Sequence, residues 1–355
     1  MNSPVGWNPP PRRIAVFRAL QLGDLLCAVP ALRALRQAAP KAHITLLGLA
    51  GAREFVQRFN RYVDDLLVFP GIDAFPEQTP RLDGLPAFFA VAREEQFDLA
   101  LQMHGSGAQS NDIVARLGAR EWAGFVPNQG EEVPGLRLAW PDALPEPQRY
   151  LALMRWLGLP AVDAALEFPL TEADWCEAGE LIRTSGLQAE RTIVLHPGAR
   201  LPSRRWPAER FAAVARQLAE EGWQVAITGA GFERPLAAEV AQLAAGCTVD
   251  LSGRTSLGAL AGLVANARLV ICNDTGVSHV AAAVHTPSVV IASGSEVRRW
   301  APLDRHRHVV LSVQTPCRPC HHWVCPIGHP CALGVSVDGV LATARHQLKE
   351  AHHAV

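Results

Sequence analysis

Short apolar and β-branched runs alternate along this chain with longer stretches in which apolar residues return every three or four positions. The short runs predict strands and the longer stretches predict helices, because side chains switch faces at every strand residue and once per helical turn. RIAVF (13–17) predicts the first strand, and a helix follows from about Leu25 to Ala39. HITLLG (43–48), DDLLVF (64–69) and DLALQM (98–103) predict three more strands, with REFVQRF and LPAFFAVAREEQ as helices between them. The second half repeats the scheme: TIVLHPG (192–198), WQVAITGAG (223–231), TVDLSG (248–253), ARLVICND (267–274) and PSVVIAS (287–293) read as strands. Helices fall near 207–221, 233–245, 256–266 and 278–284, and a last one runs near Val337 to His352.

Strand–helix alternation of this kind signals parallel sheets with helices on both faces. The stretch 141–190, rich in proline and acidic residues with helices near 147–157 and 172–185, is a linker candidate. The expected organisation is an N-terminal tail (1–11), a first Rossmann-like domain (12–170), a second (171–340) and a closing helix (341–355). Two such domains joined by a linker leave a cleft, with ligands outside the carboxyl ends of the strands.

Composition narrows the function. The 355 residues carry a net charge of −1, without the basic surplus of a nucleic-acid binder. No apolar run is long enough to span a bilayer, and MNSPVGWNPPPRR lacks a signal-peptide core. A cytoplasmic protein, resting at most on a membrane surface, is expected, with its eight cysteines reduced.

Four polar strand ends carry the candidate chemistry. Gly23 and Asp24 follow the first strand; Asp24 is either an N-cap or a general base toward a sugar hydroxyl. In HPGARLPSRRWPAERF (196–211), Arg200, Arg204 and Arg205 form either a solvated basic loop or a diphosphate grip, since a guanidinium binds phosphate oxygens in pairs. TGAGFERP (228–235) is a fragment of a dinucleotide fingerprint with Arg234 in place of the third glycine, and Glu233 is a candidate for ribose hydroxyls. CNDTGVSHVAAAV (272–284) turns from strand into helix; Thr275 or Ser278 caps it, and its bare amides suit a phosphate. His104 and Ser106 end the fourth predicted strand on the presumed acceptor side.

Taken together and in order, LGD before PAL near the start, the loop before RRWP, NDTGVSHVAAAVHTP and PCRPCHHWVCPIGHPC resemble glycosyltransferase family 9, the heptosyltransferases of lipopolysaccharide core synthesis. The resemblance runs from Arg12 to Leu348, and its most specific part is Asp-Thr-Gly-x-Ser-His. It implies a GT-B fold, two Rossmann-like domains with parallel sheets facing across a cleft. It implies an inverting, metal-independent transfer without cofactor from a nucleotide-sugar, ADP-heptose, to a lipid-linked Kdo-lipid A type acceptor at the inner membrane surface. By position, Asp24 matches the catalytic base, Arg204 with Arg205 the diphosphate grip, Asp274, Thr275, Gly276 and His279 the donor turn, and Glu233 and Thr255 the nucleoside border. The closing helix would return to the first domain. Two departures touch substrate choice: Ala19, Leu20 and Gln21 stand where some members have hydroxyl residues, and arginines replace a lysine in the phosphate loop.

Cys317, Cys320, Cys325 and Cys331 are spaced C-x2-C-x4-C-x5-C among His321, His322 and His329, a pattern that suits either a structural zinc or free packed thiols. No catalytic metal is implied. Readings from other classes are a nucleotide-sugar epimerase, which needs no acceptor, and a nucleotide-sugar-binding protein without turnover. An NAD-dependent oxidoreductase fits less well, because no full G-x-G-x-x-G follows any strand.

Overall fold

The computed structural model describes residues 7, 9–127 and 136–353. Most of the expected tail (1–11) and the last two residues of the closing segment lie outside the described residues. The chain divides into two compact units, Met1–Leu166 and Glu167–Val355.

In the first unit the strands β1 (Arg13–Phe17), β2 (His43–Gly48), β3 (Asp65–Val68), β4 (Leu99–Gln102), β5 (Glu121–Val126) and β6 (Leu136–Ala139) form one sheet in the order β3-β2-β1-β4-β5-β6. Every pairing in it is parallel. Its helices are α1 (Leu22–Ala38), α2 (Arg53–Arg58), α3 (Leu85–Glu94), α4 (Asn111–Ala115) and α5 (Glu146–Trp156). In the second unit β7 (Thr192–His196), β8 (Gln224–Ile227), β9 (Thr248–Asp250), β10 (Leu269–Asn273), β11 (Ser288–Ile291) and β12 (His308–Leu311) form a parallel sheet in the order β12-β11-β10-β7-β8-β9. Its helices are α6 (Glu172–Thr184), α7 (Ala208–Glu220), α8 (Arg234–Leu243), α9 (Leu257–Asn266), α10 (Gly276–Ala283), α11 (Val297–Trp300), α12 (Pro330–Leu333) and α13 (Val337–His353).

Both sheets follow from their sequences. Ile14 to Phe17 are wholly buried, as are Ile193 to Leu195 and Leu269 to Cys272. A strand covered on both faces reads as a continuous apolar run rather than an alternating one. In α7 the inward stripe is Phe211, Ala212, Val214, Ala215 and Leu218, all fully buried against the second sheet. Thr171 and Asp174 close a capping box at the start of α6, satisfying amides that the first turn leaves open.

The structure departs from the sequence pattern in two places. First, α1 begins at Leu22, with Gln21 as an extended N-cap and no capping side chain. Asp24 is therefore the third residue inside the helix and not its cap. Second, β5, β6 and β12 were not visible in the apolar pattern. β6 and β12 are four-residue sheet edges, and β5 is interrupted by Gly124, over which the side chain of Gln102 lies. The closing helix α13 places Val340, Leu341, Ala344 and Leu348 in the second unit's core beside Phe211 and Ile291.

The strand orders locate the sites. In the first sheet the chain winds one way from β1 through β2 to β3 and the other way from β4 to β6, so the order reverses between β1 and β4. In the second it reverses between β7 and β10. Crossover connections leave in opposite directions at such a point and open a crevice at the carboxyl ends of the two strands.

Helices α6 and α9 approach closely at Gly262, where an added methyl would lie 2.8 Å from Ala178 Cβ and 3.2 Å from the carbonyl oxygen of Asp174. Gly262→Ala is expected to destabilise the protein by about 1–3 kcal/mol, because backbone has to move to admit it. Urea unfolding checks this; a variant as stable as wild type contradicts the close approach.

Candidate active site

At the first switch point, the residue leaving β1 is Arg18, a cation only 1% exposed. Its Nε and Nη2 both donate to the carbonyl oxygen of Asp24, at 2.9 and 2.6 Å, and its Nη1 donates to the carbonyl of Met103 at 2.5 Å. One guanidinium thus ties the first turn of α1 to the end of β4. Asp24 keeps 23% of its side chain exposed, and its Oδ1 lies 4.0 Å from Arg18 Nη2. Gly23 is buried beside it in the same turn.

His104 follows β4. Its ring stacks on Phe75 at 4.1 Å and on Phe17 at 5.5 Å, and its Nδ1 lies 3.3 Å from the amide of Ala19, which donates to it. Accepting at Nδ1 requires a neutral ring with its proton on Nε2. Burial, helped by the nearby Arg18 cation, pushes His104 down to about 3, in agreement with that tautomer. Gln102 and Ser110 hold the carbonyl of His104 from below, at 2.6 and 2.8 Å. Ser106 is half-buried in the turn that follows. Asp24, Gly23 and His104 are therefore gathered at the carboxyl ends of β1 and β4.

At the second switch point the organising residue is Asn273, fully buried at the end of β10. Its Oδ1 accepts the amide of Trp206 at 2.9 Å, and its Nδ2 donates to the carbonyl of Pro197 at 2.7 Å. The arginine loop after β7 is thereby fastened to the turn Asp274–Gly276. Thr275 is the N-cap of α10: its Oγ1 accepts the amide of Val277, and its carbonyl accepts the hydroxyl of Ser278 at 2.7 Å. Asp274, Thr275 and Gly276 are half-buried, while His279 is buried in the first turn with its ring edge-to-face on Trp300. Cys272, one step back, is inert: burial, and then the carboxylate of Asp274, push its thiol well above the usual value.

Arg204 and Arg205 are half-buried in the loop. Arg205 Nε donates to the carbonyl of Ala199 at 2.9 Å, and Arg204 Nη2 to that of Cys320 at 3.0 Å. The cysteine-rich segment therefore braces the arginine loop, an attachment strengthened by Ser203 Oγ on the carbonyl of His322 and by His329 Nε2 at 2.7 Å from the carbonyl of Ser203. Cys317, Cys320, Cys325 and Cys331 are free thiols, and among the described residues no three His, Cys, Asp or Glu side chains are grouped to hold a metal ion.

Glu233 is buried next to the same edge. Its carboxylate accepts the amide of Ala230 at 2.8 Å and stands 3.8 Å from His196 Nε2, while His196 Nδ1 lies 3.1 Å from Thr228 Oγ1. Burial, partly offset by Glu233, lowers the pKa of His196. Gly198 makes room for that carboxylate, since a methyl there would lie 2.1 Å from Glu233 Oε1. The turn before Thr255 is joined to this one through the amide of Gly253, which donates to Gly229 at 2.8 Å. Thr255 itself is half-buried just ahead of Ser256, the N-cap of α9.

Sequence reasoning passed over Arg18, Glu146, Tyr150, Asn273 and His196. Asn273 had a signal, an amide closing an otherwise apolar strand. Glu146 had none: an acid in the first turn of a polar-looking helix reads as solvated, yet it is fully buried.

His104 and His308 both stay neutral when folded; burial pushes His308 down to about 4. The ordinary imidazole value is 6.5, so below it the unfolded chain binds protons that the folded chain refuses. The stability they share is complete above that value and is lost as pH falls toward about 4. Calorimetry from pH 7 to 5 is expected to show a fall steepening toward roughly 1.4 kcal/mol per pH unit for each group, shallower in a folded His104→Gln variant. An unchanged slope in that variant contradicts the assignment.

Comparison with known proteins adds to this geometry. Residues 87–330 match the model of glycosyltransferase family 9 (heptosyltransferase). The lipopolysaccharide heptosyltransferase 2 of Escherichia coli K12 is 27% identical over 318 residues, 84% of this chain and 87% of that one. Four other curated heptosyltransferases match over 40–53% of their own length. Among solved structures, a glycosyl transferase family 9 protein from Veillonella parvula superposes with a TM-score of 0.80 at 23% identity, over 96% of this chain and 98% of that one. The E. coli ADP-heptose lipopolysaccharide heptosyltransferase II gives 0.71 at 23% identity, over 95% and 99%. At such identities the likeness is one of fold, and that fold is GT-B with its two Rossmann-like units.

Proposed function

This chain belongs to glycosyltransferase family 9, and from that premise we propose that it transfers heptose from ADP-heptose to a lipopolysaccharide-core acceptor of the Kdo-lipid A type, with inversion and without a metal. The observation that carries the reading is the pairing, through Asn273, of an arginine loop with the N-terminus of α10 at one switch point. A leaving nucleoside diphosphate gains negative charge as the glycosidic bond breaks. Arg204 and Arg205 supply guanidinium charge to it, and the amides of Thr275 and Gly276 supply the positive end of a helix. Charge placed in advance where it develops lowers the barrier without any metal. The carboxylate of Asp274 accepts hydroxyls of the sugar, Glu233 and Thr255 border the nucleoside, and His279 backs the turn.

Asp24 is the base. It takes the proton of an acceptor hydroxyl as that oxygen attacks the anomeric carbon from the face opposite the diphosphate, which inverts the centre. His104 keeps its proton on Nε2 and serves as a hydrogen-bond donor on the acceptor side, with Gly23 and Ser106 beside it. The acceptor's lipid sets the reaction at the inner face of the cytoplasmic membrane, with peripheral contact only. No helix among the described residues is long and apolar enough to cross a membrane.

Purified protein is expected to join heptose from ADP-heptose to Kdo-lipid A, with Asp24→Asn slower by about 10²–10⁴-fold, the usual contribution of a positioned base. Mass spectrometry of the acceptor reads both. Absence of product from the wild type with any nucleotide-sugar contradicts transfer, and an active Asp24→Asn contradicts the base.

A further inference from the structure

The side chains around Arg18 form a cluster that the donor and acceptor roles leave unused. Glu146, wholly buried on α5, has Oε1 3.6 Å from Arg18 Nη2 and accepts the hydroxyl of Tyr150 at 2.5 Å. Its Oε2 accepts from Arg149 Nη1 at 3.3 Å, and Arg149 Nη2 in turn donates to the carbonyl of Asp142 at 2.8 Å. The guanidinium of Arg18 lies over the ring of Tyr150, 4.3 Å from its centre. Two cations, Arg18 and Arg149, are thus balanced by two carboxylates, Glu146 and Asp24. Of the four, Asp24 is the one with a substantially exposed side chain. An unbalanced buried charge costs several kcal/mol, and a fold does not keep one without compensation.

We infer that Arg18, locked in place by Glu146 and Tyr150 of α5, is the positioning residue of the catalytic carboxylate. It grips the backbone of Asp24 and sets the electrostatic field in which that carboxylate works. The inference rests on Asp24 being the base. Two effects follow from one side chain. The paired bonds to the Asp24 carbonyl fix the first turn of α1, so the carboxylate is aimed by the backbone it stands on. The positive charge near Oδ1 favours the ionised form that a base requires. Glu146 tempers that charge; too strong a field would leave Asp24 ionised but a poor proton acceptor. Among the described residues of its unit, the charged or titratable groups set around Asp24 include Arg18 from the end of β1, Glu146, Arg149 and Tyr150 from α5, and His104 after β4. His104 is neutral, so Arg18 and Glu146 govern the balance.

The sign of each perturbation is the test. The acidic limb of the pH profile of kcat/KM reports ionisation of the base in the free enzyme. Arg18→Gln removes the cation and is expected to move that limb up by about 1 pH unit, the lower end of what a close opposite charge contributes. Glu146→Gln, nearly the same shape, leaves the cation untempered and is expected to move it down. Arg18→Lys keeps the charge but loses the forked grip; the limb stays while kcat falls and the KM for ADP-heptose holds. A purely structural role moves both glutamine variants the same way or leaves both limbs at the wild-type pH, and either result overturns the inference. If Arg18→Gln does not fold, as judged by circular dichroism, the direction of the Glu146→Gln limb decides alone. Asp24→Asn, run alongside, separates the two claims: full turnover there removes the base itself, whereas lost turnover with unmoved limbs in the glutamine variants removes only the role of Arg18.

Discussion

A parallel sheet covered on both faces leaves polar side chains one edge to occupy. Each strand of the two inner quartets is sealed by helices, and the amino-terminal ends are joined by the incoming connections. The carboxyl ends, where the winding reverses, are left to carry the charged and hydrogen-bonding groups. Arg18, Asp24 and His104 stand there in the first unit, and His196, Glu233, Asn273 and Asp274 in the second. Chemistry and architecture are for this reason inseparable here: the topology brings charged and hydrogen-bonding residues to the strand ends, where even the buried ones, Arg18, His196, Glu233 and Asn273, find partners.

Within each crevice one buried polar residue does the fastening. Asn273 joins the arginine loop to the turn that opens α10, accepting from the amide of Trp206 and donating to the carbonyl of Pro197. Arg18 joins α1 to β4, so that a carboxylate and a neutral imidazole stand on a common frame. Neither residue needs to touch substrate to matter. A hydrogen bond to buried backbone costs more to lose than it contributes to make, and the loops it holds would otherwise move.

Much of this was legible in the sequence, for definite reasons. Central strands such as RIAVF and ARLVIC are continuous apolar runs, and the turn NDTG announces a helix start by its hydroxyl and its glycine. Asp24 was legible as a candidate but not its place in the helix, because Gln21 caps without a side-chain bond and so leaves no signature. The edges β6 and β12 escaped notice because LRLA is broken by Arg137 and HVVL follows directly on the polar run 304–307. Glu146 and Arg18 were hidden for a deeper reason. They pair with each other across most of the first unit's sequence, and a buried ion cluster looks like solvated surface until the fold brings its members together.

In the proposed reaction, donor recognition falls to the second unit's switch point and proton removal to the first. Calorimetric titration of ADP-heptose into Asp24→Asn and Asp274→Ala proteins tests that division most directly. Wild-type affinity is expected in Asp24→Asn, and a loss of about tenfold or more, the worth of a charged hydrogen bond, in Asp274→Ala. Donor affinity that collapses in Asp24→Asn, or survives intact in Asp274→Ala, contradicts it.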